Sequence, residues 1–203
     1  MKYYWMSGLH YMMSDLSASN DIPMLSVPHF LFGEKIKVTA PNPLIVEAFD
    51  IKKREEPGVM VNGNNMVLVN PIVPKILQEF GITNYETFSA TLRDSKWGRE
   101  WNEYLAFNVL GTIDVANMEE SEYNAYTDFG RTTYHFRKMV FSEKKLAANR
   151  LKMFRAQYDD NSFIYVTEDV FRKFSECDPP EALSGGSVMG KKLKIVFKEQ
   201  III

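Results

Sequence analysis

The sequence predicts an α+β fold: an antiparallel or mixed β-sheet built around a long central strand at about residues 104–116, with a few short helices packed on it. Three observations carry this reading. Between Trp101 and Asn117 the odd positions Leu105, Phe107, Val109, Ile113 and Val115 are apolar, interrupted by Gly111, while Asn108, Thr112 and Asp114 mark the even ones. A period of two gives one apolar face, so the stretch reads as a half-buried strand. Its eleven positions from 105 to 115 reach roughly 36 Å at about 3.3 Å each. Second, residues 70–81 and 167–178 each combine a capping residue, a helical apolar stripe and a stop. Third, short alternating runs bounded by Gly, Pro and Asn recur on both sides of the central stretch.

In chain order, Tyr3 to Met6 is an aromatic-rich strand, and polar turns follow around Ser14 to Asp21. EKIKV at 34–38 and PLIVEAF at 43–49 are short strands divided by the Pro41–Asn42–Pro43 turn. The run KKREE at 52–56 is a solvated loop, and Asn62–Gly63 turns the chain into the apolar run Met66 to Val69. Asn70 then caps a helix whose stripe is Ile72, Ile76, Leu77 and Phe80 and whose end is Gly81. Tyr85 to Leu92 is a strand, and a loop at 94–99 leads into the central one. Gly111 in the middle of that strand marks a bulge or bend.

Beyond it, MEESEYNAY at 118–126 reads as a short helix or loop with an acidic side. Residues 131–141 and 151–157 are strands, and Phe163 to Val166 is apolar throughout, as for a strand buried on both faces. Thr167 caps the second helix, with Glu168 and Asp169 where negative charge suits the helix dipole. Val170, Phe171, Phe174 and Cys177 share its core face, and Pro179–Pro180 stops it. A glycine-bearing loop leads to a final strand through Leu193, Ile195 and Phe197. A weak internal echo is visible: MVLVN, helix, ETFSATL resembles FIYVT, helix, KKLKIVF.

The 203 residues suffice for one domain, 1–203, divisible into lobes 1–95 and 96–203. A formal net charge of −2 argues against a protein devoted to gripping phosphate backbones, so no nucleic-acid partner is expected. The single cysteine excludes an internal disulfide and fits a reducing compartment. The first residues, MKYYWMSGLHYMMSDL, lack the pattern of a secretory signal, and no run approaches eighteen apolar residues. The expected location is cytoplasmic, with no membrane partner.

Few residues suggest chemistry. Gly185–Gly186–Ser187–Val188–Met189–Gly190–Lys191–Lys192 approaches a phosphate-cradling loop, but Lys192 stands where a hydroxyl should. The loop also runs from helix to strand rather than the reverse. His10, His29 and His135 share no metal-ligand spacing, so neither metal nor cofactor is expected. Cys177 reads as a buried thiol. Trp97, Trp101 and Tyr104 form either a packed aromatic face or an exposed rim able to anchor a partner. Glu119, Glu120 and Glu122, with Asp128 nearby, form an acidic binding patch or simply a solvated face.

YLAFNVLGTIDVAN resembles the signature strand of a bacterial immunity-protein family of polymorphic toxin systems, immunity class eleven, with Asn108, Gly111 and Asp114 in the signature positions. FLFGEKI, VLVNPIVPKILQEFGI, FIYVTEDVFRKF and KKLKIVF are similar to other stretches of that family in the same order. Asn117 replaces the acidic residue that commonly follows the signature, and the connector before the last strand is longer. The resemblance implies a non-catalytic protein that binds and neutralises a cognate toxin domain, with Glu119, Glu120, Glu122, Asp128, Trp97 and Trp101 as candidate contacts. Strand edges and the Ile201–Ile203 tail leave room for a homodimer. The rival readings are an enzyme with a carboxylate site near Asp114 and an accessory module of a secretion apparatus.

Overall fold

Two glycines decide how the strands are shared out. The structure, a computed structural model, describes residues 2–10, 13–15, 33–37, 42–49, 51, 56–62, 66–128, 131–160, 163–178, 180–182, 187–190 and 194–203. Within these the first strands are β1 (Tyr3–Ser7), β2 (Leu9–His10), β3 (Met13–Asp15), β4 (Leu44–Ala48), β5 (Met60–Asn62), β6 (Val67–Val69), β7 (Tyr85–Asp94), β8 (Arg99–Val109) and β9 (Thr112–Ile113). Then come β10 (Glu122–Asp128), β11 (Arg131–Lys138), β12 (Met153–Ala156), β13 (Ile164–Thr167), β14 (Pro180–Ala182), β15 (Ser187–Gly190) and β16 (Val196–Glu199). The helices are α1 (Ile72–Glu79), α2 (Glu143–Leu146) and α3 (Glu168–Cys177). The fold is therefore α+β with mixed sheets.

One sheet runs β14-β15-β16-β1-β13-β12-β9, another runs β2-β5-β6-β8-β7-β4-β3, and β10-β11 stand as a separate pair. The chain passes from the first sheet to the second between β1 and β2, and back between β8 and β9. Gly8 makes the first crossing against the backbone of β5: a Cβ there would lie 2.0 Å from the Met60 carbonyl oxygen. The Gly8 N–H is held by the Asn62 side chain at 2.7 Å. Gly111 makes the second crossing at φ +96°, its N–H donating to the Gly33 carbonyl at 2.8 Å.

The expected strand at 104–116 is thus corrected: it is divided at Leu110–Gly111, and its last part pairs with β12 in the other sheet. The eleven-residue β8 lies fourth of seven in its own sheet. Glu100, Asn102 and Glu103 at its start are exposed, but from Tyr104 on it is covered on both faces rather than half-buried. Phe107 and Val109 enter one apolar cluster, while Tyr104 and Ala106 enter another with Leu44, Val46 and Leu92. A strand packed on both faces has no solvent side to mark, which is why Asn108 is fully buried.

The echo read in the sequence extends to the topology. The order β2-β5-β6-β8-β7-β4-β3 matches β9-β12-β13-β1-β16-β15-β14 position by position. The first four junctions agree in sense: β2/β5 and β9/β12 are parallel, and the next three in each sheet are antiparallel. In each set a helix leaves the third strand, α1 after β6 and α3 after β13. Met60 faces Val69 as Met153 faces Val166. Counting from Asn70 and Thr167, Val73 with Leu77 and Val170 with Phe174 recur at the same intervals, and all four are buried. The fourth strands differ in origin: β8 follows β7 directly along the chain, whereas β1 is brought to its sheet from the N-terminal end.

One apolar cluster joins both sheets to both long helices, with Tyr4, Met6, Met60, Val73, Leu77, Phe107, Ile164, Val170 and Phe174 among its members. Its existence explains the helix stripes. Val73, Pro74, Ile76 and Leu77 turn inward on α1, whereas Ile72, expected in the stripe, is exposed. Asn70 accepts from Ile72 N at 3.1 Å, and Gly81 ends the helix at φ +67°. On α3 Val170 and Phe174 are buried and Phe171 stacks on Tyr4 at 4.1 Å. Cys177 is exposed, a further correction: with Glu176 it falls on the solvent side of the last turn, while the next residue, Asp178, is buried. No helix among the described residues is long and apolar enough to cross a membrane.

The expected turn beyond Asp15, the run 52–55, Gly63, Gly185, Gly186, Lys191, Lys192, Leu193 and His29 lie outside the described residues. Residues 34–37 carry no regular structure where a strand was expected.

Two stability predictions follow from this packing. Gly8→Ala should cost more than Gly111→Ala in a urea titration, because the first meets backbone atoms and the second meets the movable Leu151 Cδ1 at 3.2 Å. About 1–3 kcal/mol is expected for Gly111→Ala, from its positive φ. Phe174→Ala, which empties a site beside Phe197, should cost roughly 3–5 kcal/mol; a loss under about 1 kcal/mol would place Phe174 outside the core.

Candidate functional site

After the second crossing the chain is clamped before it turns outward. Asp114 is exposed and accepts from Lys145 Nζ at 2.8 Å, and the same ammonium donates to the Ala116 carbonyl at 2.9 Å. Val115 and Ala116 are buried with Phe141 and Phe154. The Asn117 side chain accepts from Glu119 N at 3.2 Å, and Ser121 Oγ donates to the Asn117 carbonyl at 2.6 Å. Ser121 Oγ also accepts from Val140 N at 2.9 Å, tying the turn to the end of β11. The result is a rigid turn that exposes Glu119 and Glu120 and delivers Glu122 to the start of β10. None of these three carboxylates has an ion-pair partner among the described residues.

β10 is the segment read from sequence as a helix or loop at 118–126; only 118–120 form a turn, and a strand begins at Glu122. The sequence signal was present. Tyr123, Tyr126 and Thr127 are strand formers, and Asp128 and Arg131 face each other across a two-residue connection. Phe136 anchors the hairpin by burial in the cluster with Phe141 and Tyr165. Tyr123 packs against Tyr134 at 5.1 Å and Phe136 at 5.6 Å, and Tyr134 meets Tyr158 at 6.3 Å. Tyr126 and Tyr158 remain 53% and 52% exposed. The other face, which carries Tyr126, is more polar: Arg137 donates to Asn124 at 3.1 Å and His135 Nδ1 is 3.1 Å from Asp160, while Thr127 and Thr132, their hydroxyls 3.2 Å apart, lie on the face of Tyr123 and Tyr134. At its base a depression of about 150 Å³ opens beside the stacked Trp5 and Phe163, with Lys138 and Lys198 on its wall.

The structure therefore groups Glu119, Glu120 and Glu122 on one surface, with Asp128 at the far end of the same strand. Trp97 and Trp101 are elsewhere. The Trp97 indole donates to the Ile51 carbonyl at 3.2 Å and the Trp101 indole to Glu56 at 2.7 Å, both at the start of β8. Roughly 26 Å of strand separates Trp101 from Val109, and the acidic turn comes only after the crossing. The signature residues position backbone. Asn108 Nδ2 donates to the Glu34 carbonyl at 2.8 Å and to Glu86 at 2.9 Å, which holds 34–36 against β7. Gly111 makes the crossing, and Asp114 is the partner of Lys145.

A second charged place lies inside. Among the described residues Arg155, 2% exposed, has no hydrogen-bond partner for any of its three guanidinium nitrogens. Burial pushes the guanidinium down to about 10, against the pull of Asp159 nearby, and it stays charged at neutral pH. It occupies the place on β12 that Asn62 has on β5, two residues beyond Met153 and Met60. Among the described residues no group of three or more His, Cys, Asp or Glu is placed to hold a metal ion.

No family model matches the chain, and no curated protein does.

The buried guanidinium generates a test. Desolvation outweighs the attraction of Asp159, so Arg155 opposes folding below pH about 10 and the penalty fades as pH rises through that value. Arg155→Met keeps the volume and removes the charge; it should stabilise the fold by about 1–3 kcal/mol in a urea titration at pH 7. A clear loss of stability would mean that Asp159 compensates the charge in full.

Proposed function

We propose that this protein acts by stoichiometric binding, as an immunity protein that captures and neutralises a cognate toxin domain in the cytoplasm. The observation that carries the reading is the surface formed by Glu119, Glu120 and Glu122 beside the tyrosine-bearing hairpin. Three exposed carboxylates without cationic partners among the described residues create a local negative field, although the chain as a whole is near neutral at −2. Exposed tyrosines beside them supply rigid apolar contact area with a polar tip, the usual make-up of an interface anchor. The ordered resemblance of YLAFNVLGTIDVAN and its flanking stretches to the immunity class supports the same reading. In it β8 is the organising strand, from which the chain passes through Gly111 straight to the binding turn.

The partner face is basic in this proposal, since charge complementarity is what an unpaired acidic turn offers. The carboxylate-enzyme reading is weaker at Asp114, whose charge is engaged by Lys145. Co-expression with the toxin domain encoded by the adjacent gene tests the proposal: the protein should restore growth and co-purify with the toxin at one to one. Continued toxicity would sink it.

A triple variant, Glu119→Gln, Glu120→Gln and Glu122→Gln, should fold normally and associate with that toxin more slowly at low salt. The deficit should shrink as salt screens the field over about 8–10 Å, while the dissociation rate changes little. Equal association rates at low ionic strength would move the interface away from the turn.

A further inference from the structure

We propose that the outer edge of β10 is a strand acceptor, which takes an extended lysine- or arginine-bearing segment of the partner protein as a third strand on the hairpin. The inference rests on the binding reading above and specifies how the partner is held.

The argument starts from the ladder. β11 is occupied on both sides. It pairs with β10, and on its far edge Tyr134 N donates to the Tyr158 carbonyl at 2.7 Å while Asp160 N donates to the Tyr134 carbonyl at 3.2 Å. Both polar groups of Tyr134 thus point away from β10. Its ladder partner Ala125 therefore belongs to a pair without cross-strand hydrogen bonds. The Ala125 N–H and C=O must face the other way, toward the open edge. Alternation extends this to Tyr123 and Thr127, two residues to each side. None of Tyr123, Ala125 and Thr127 has a hydrogen bond across that edge among the described residues.

Such an edge invites pairing unless something blunts it. A proline, a lysine or an inward-pointing charge is the usual guard, and β10 reads EYNAYTD, with none of these between its ends. Its seven residues extend roughly 23 Å, long enough to hold a strand of the partner.

Charge decides the occupant. A second copy pairing antiparallel about Ala125 would set Glu122 opposite Asp128, and a parallel copy would set Glu122 opposite Glu122. Like charges directly opposite each other destabilise a strand pair. A basic segment meets the opposite situation, because Glu119, Glu120 and Glu122 stand unpaired where the edge begins. Main-chain hydrogen bonds would supply the grip, while Tyr123 on one face and Tyr126 on the other contact alternate side chains of the incoming strand.

The test is amide exchange on the full chain, with two probes: the toxin domain of the adjacent gene, and a synthetic peptide alternating lysine with valine. The amides of Tyr123, Ala125 and Thr127 should exchange more slowly with the toxin, and with the peptide at high concentration, but not with a peptide carrying glutamate in place of lysine. Ala125→Pro removes an outward donor at an edge position that tolerates proline, and should weaken binding by at least about tenfold. Because the proline could disturb the hairpin itself, Ala125→Gly serves as a control that should keep wild-type affinity. If the toxin binds and these three amides stay unprotected, the edge proposal is overturned and the immunity reading stands. Where the toxin does not bind but the lysine peptide protects the edge, the reverse holds. Protection by neither probe overturns both.

Discussion

The contact between Gly8 and the backbone of β5 is the constraint on which the two-sheet arrangement rests. A strand leaving one sheet must pass close over the edge of the next, and here the approach leaves no room for a side chain: Met60 O would lie 2.0 Å from any Cβ. Gly111 solves the matching problem differently, with a positive φ and a hydrogen bond to Gly33. Both crossings feed the same core. Tyr4 and Met6 precede Gly8 by four and two residues, as Phe107 and Val109 precede Gly111, and all four lie in the cluster that joins the sheets. Fixing the crossings therefore fixes which residues become core. The helices follow, because α1 and α3 have only that cluster to cover.

This exchange accounts for what could and could not be read from the sequence. Local signals were legible: Tyr3–Ser7, Val67–Val69, both longer helices, their acidic or glycine ends and the fully buried Ile164–Thr167 all stand close to where periodicity put them. The alternation from Leu105 to Val115 was real as well, since the apolar face stays in phase on β8. What periodicity cannot express is a change of sheet in the middle of a run, because the side chains go on alternating across it. Nor can it tell one covered face from two, which is why the burial of Asn108 went unseen. Of the candidate site, the acidic residues were legible by charge alone. The hairpin that presents them was legible in its second strand, read at 131–141, while in the first the acidic run up to Glu122 outweighed the strand signal of Tyr123, Tyr126 and Thr127.

Three buried polar side chains sit near the crossings. Asn62, Asn108 and Arg155 are all buried, and each has at least one side-chain atom without a partner. Asn62 and Asn108 offset that cost with the hydrogen bonds by which they hold Gly8 and residue 34 in place. Arg155 recovers little, having only the charge of Asp159 to offset desolvation. The equivalent places on β5 and β12 thus carry a polar group each, but only the asparagine is neutral enough to suit its surroundings.

The two halves repeat one plan, and the proposed binding surface lies where they part. Between β2 and β5 the chain inserts β3 and β4, which return to the second sheet and cover the edge of β7. Between β9 and β12 it inserts β10, β11 and α2, and this hairpin joins neither sheet. The corresponding edge of the first sheet is covered instead by β14 and β15, strands taken from the connection between α3 and β16. That substitution releases the hairpin from any role in closing a sheet. Its burial is confined to residues such as Phe136 at the base, and its outer strand keeps unpaired backbone and unpaired carboxylates. A segment free of sheet closure can vary in charge and aromatic content without disturbing the crossings at Gly8 and Gly111. A surface that must match one partner and differ from others needs that independence, and in this fold the second insertion has it where the first does not.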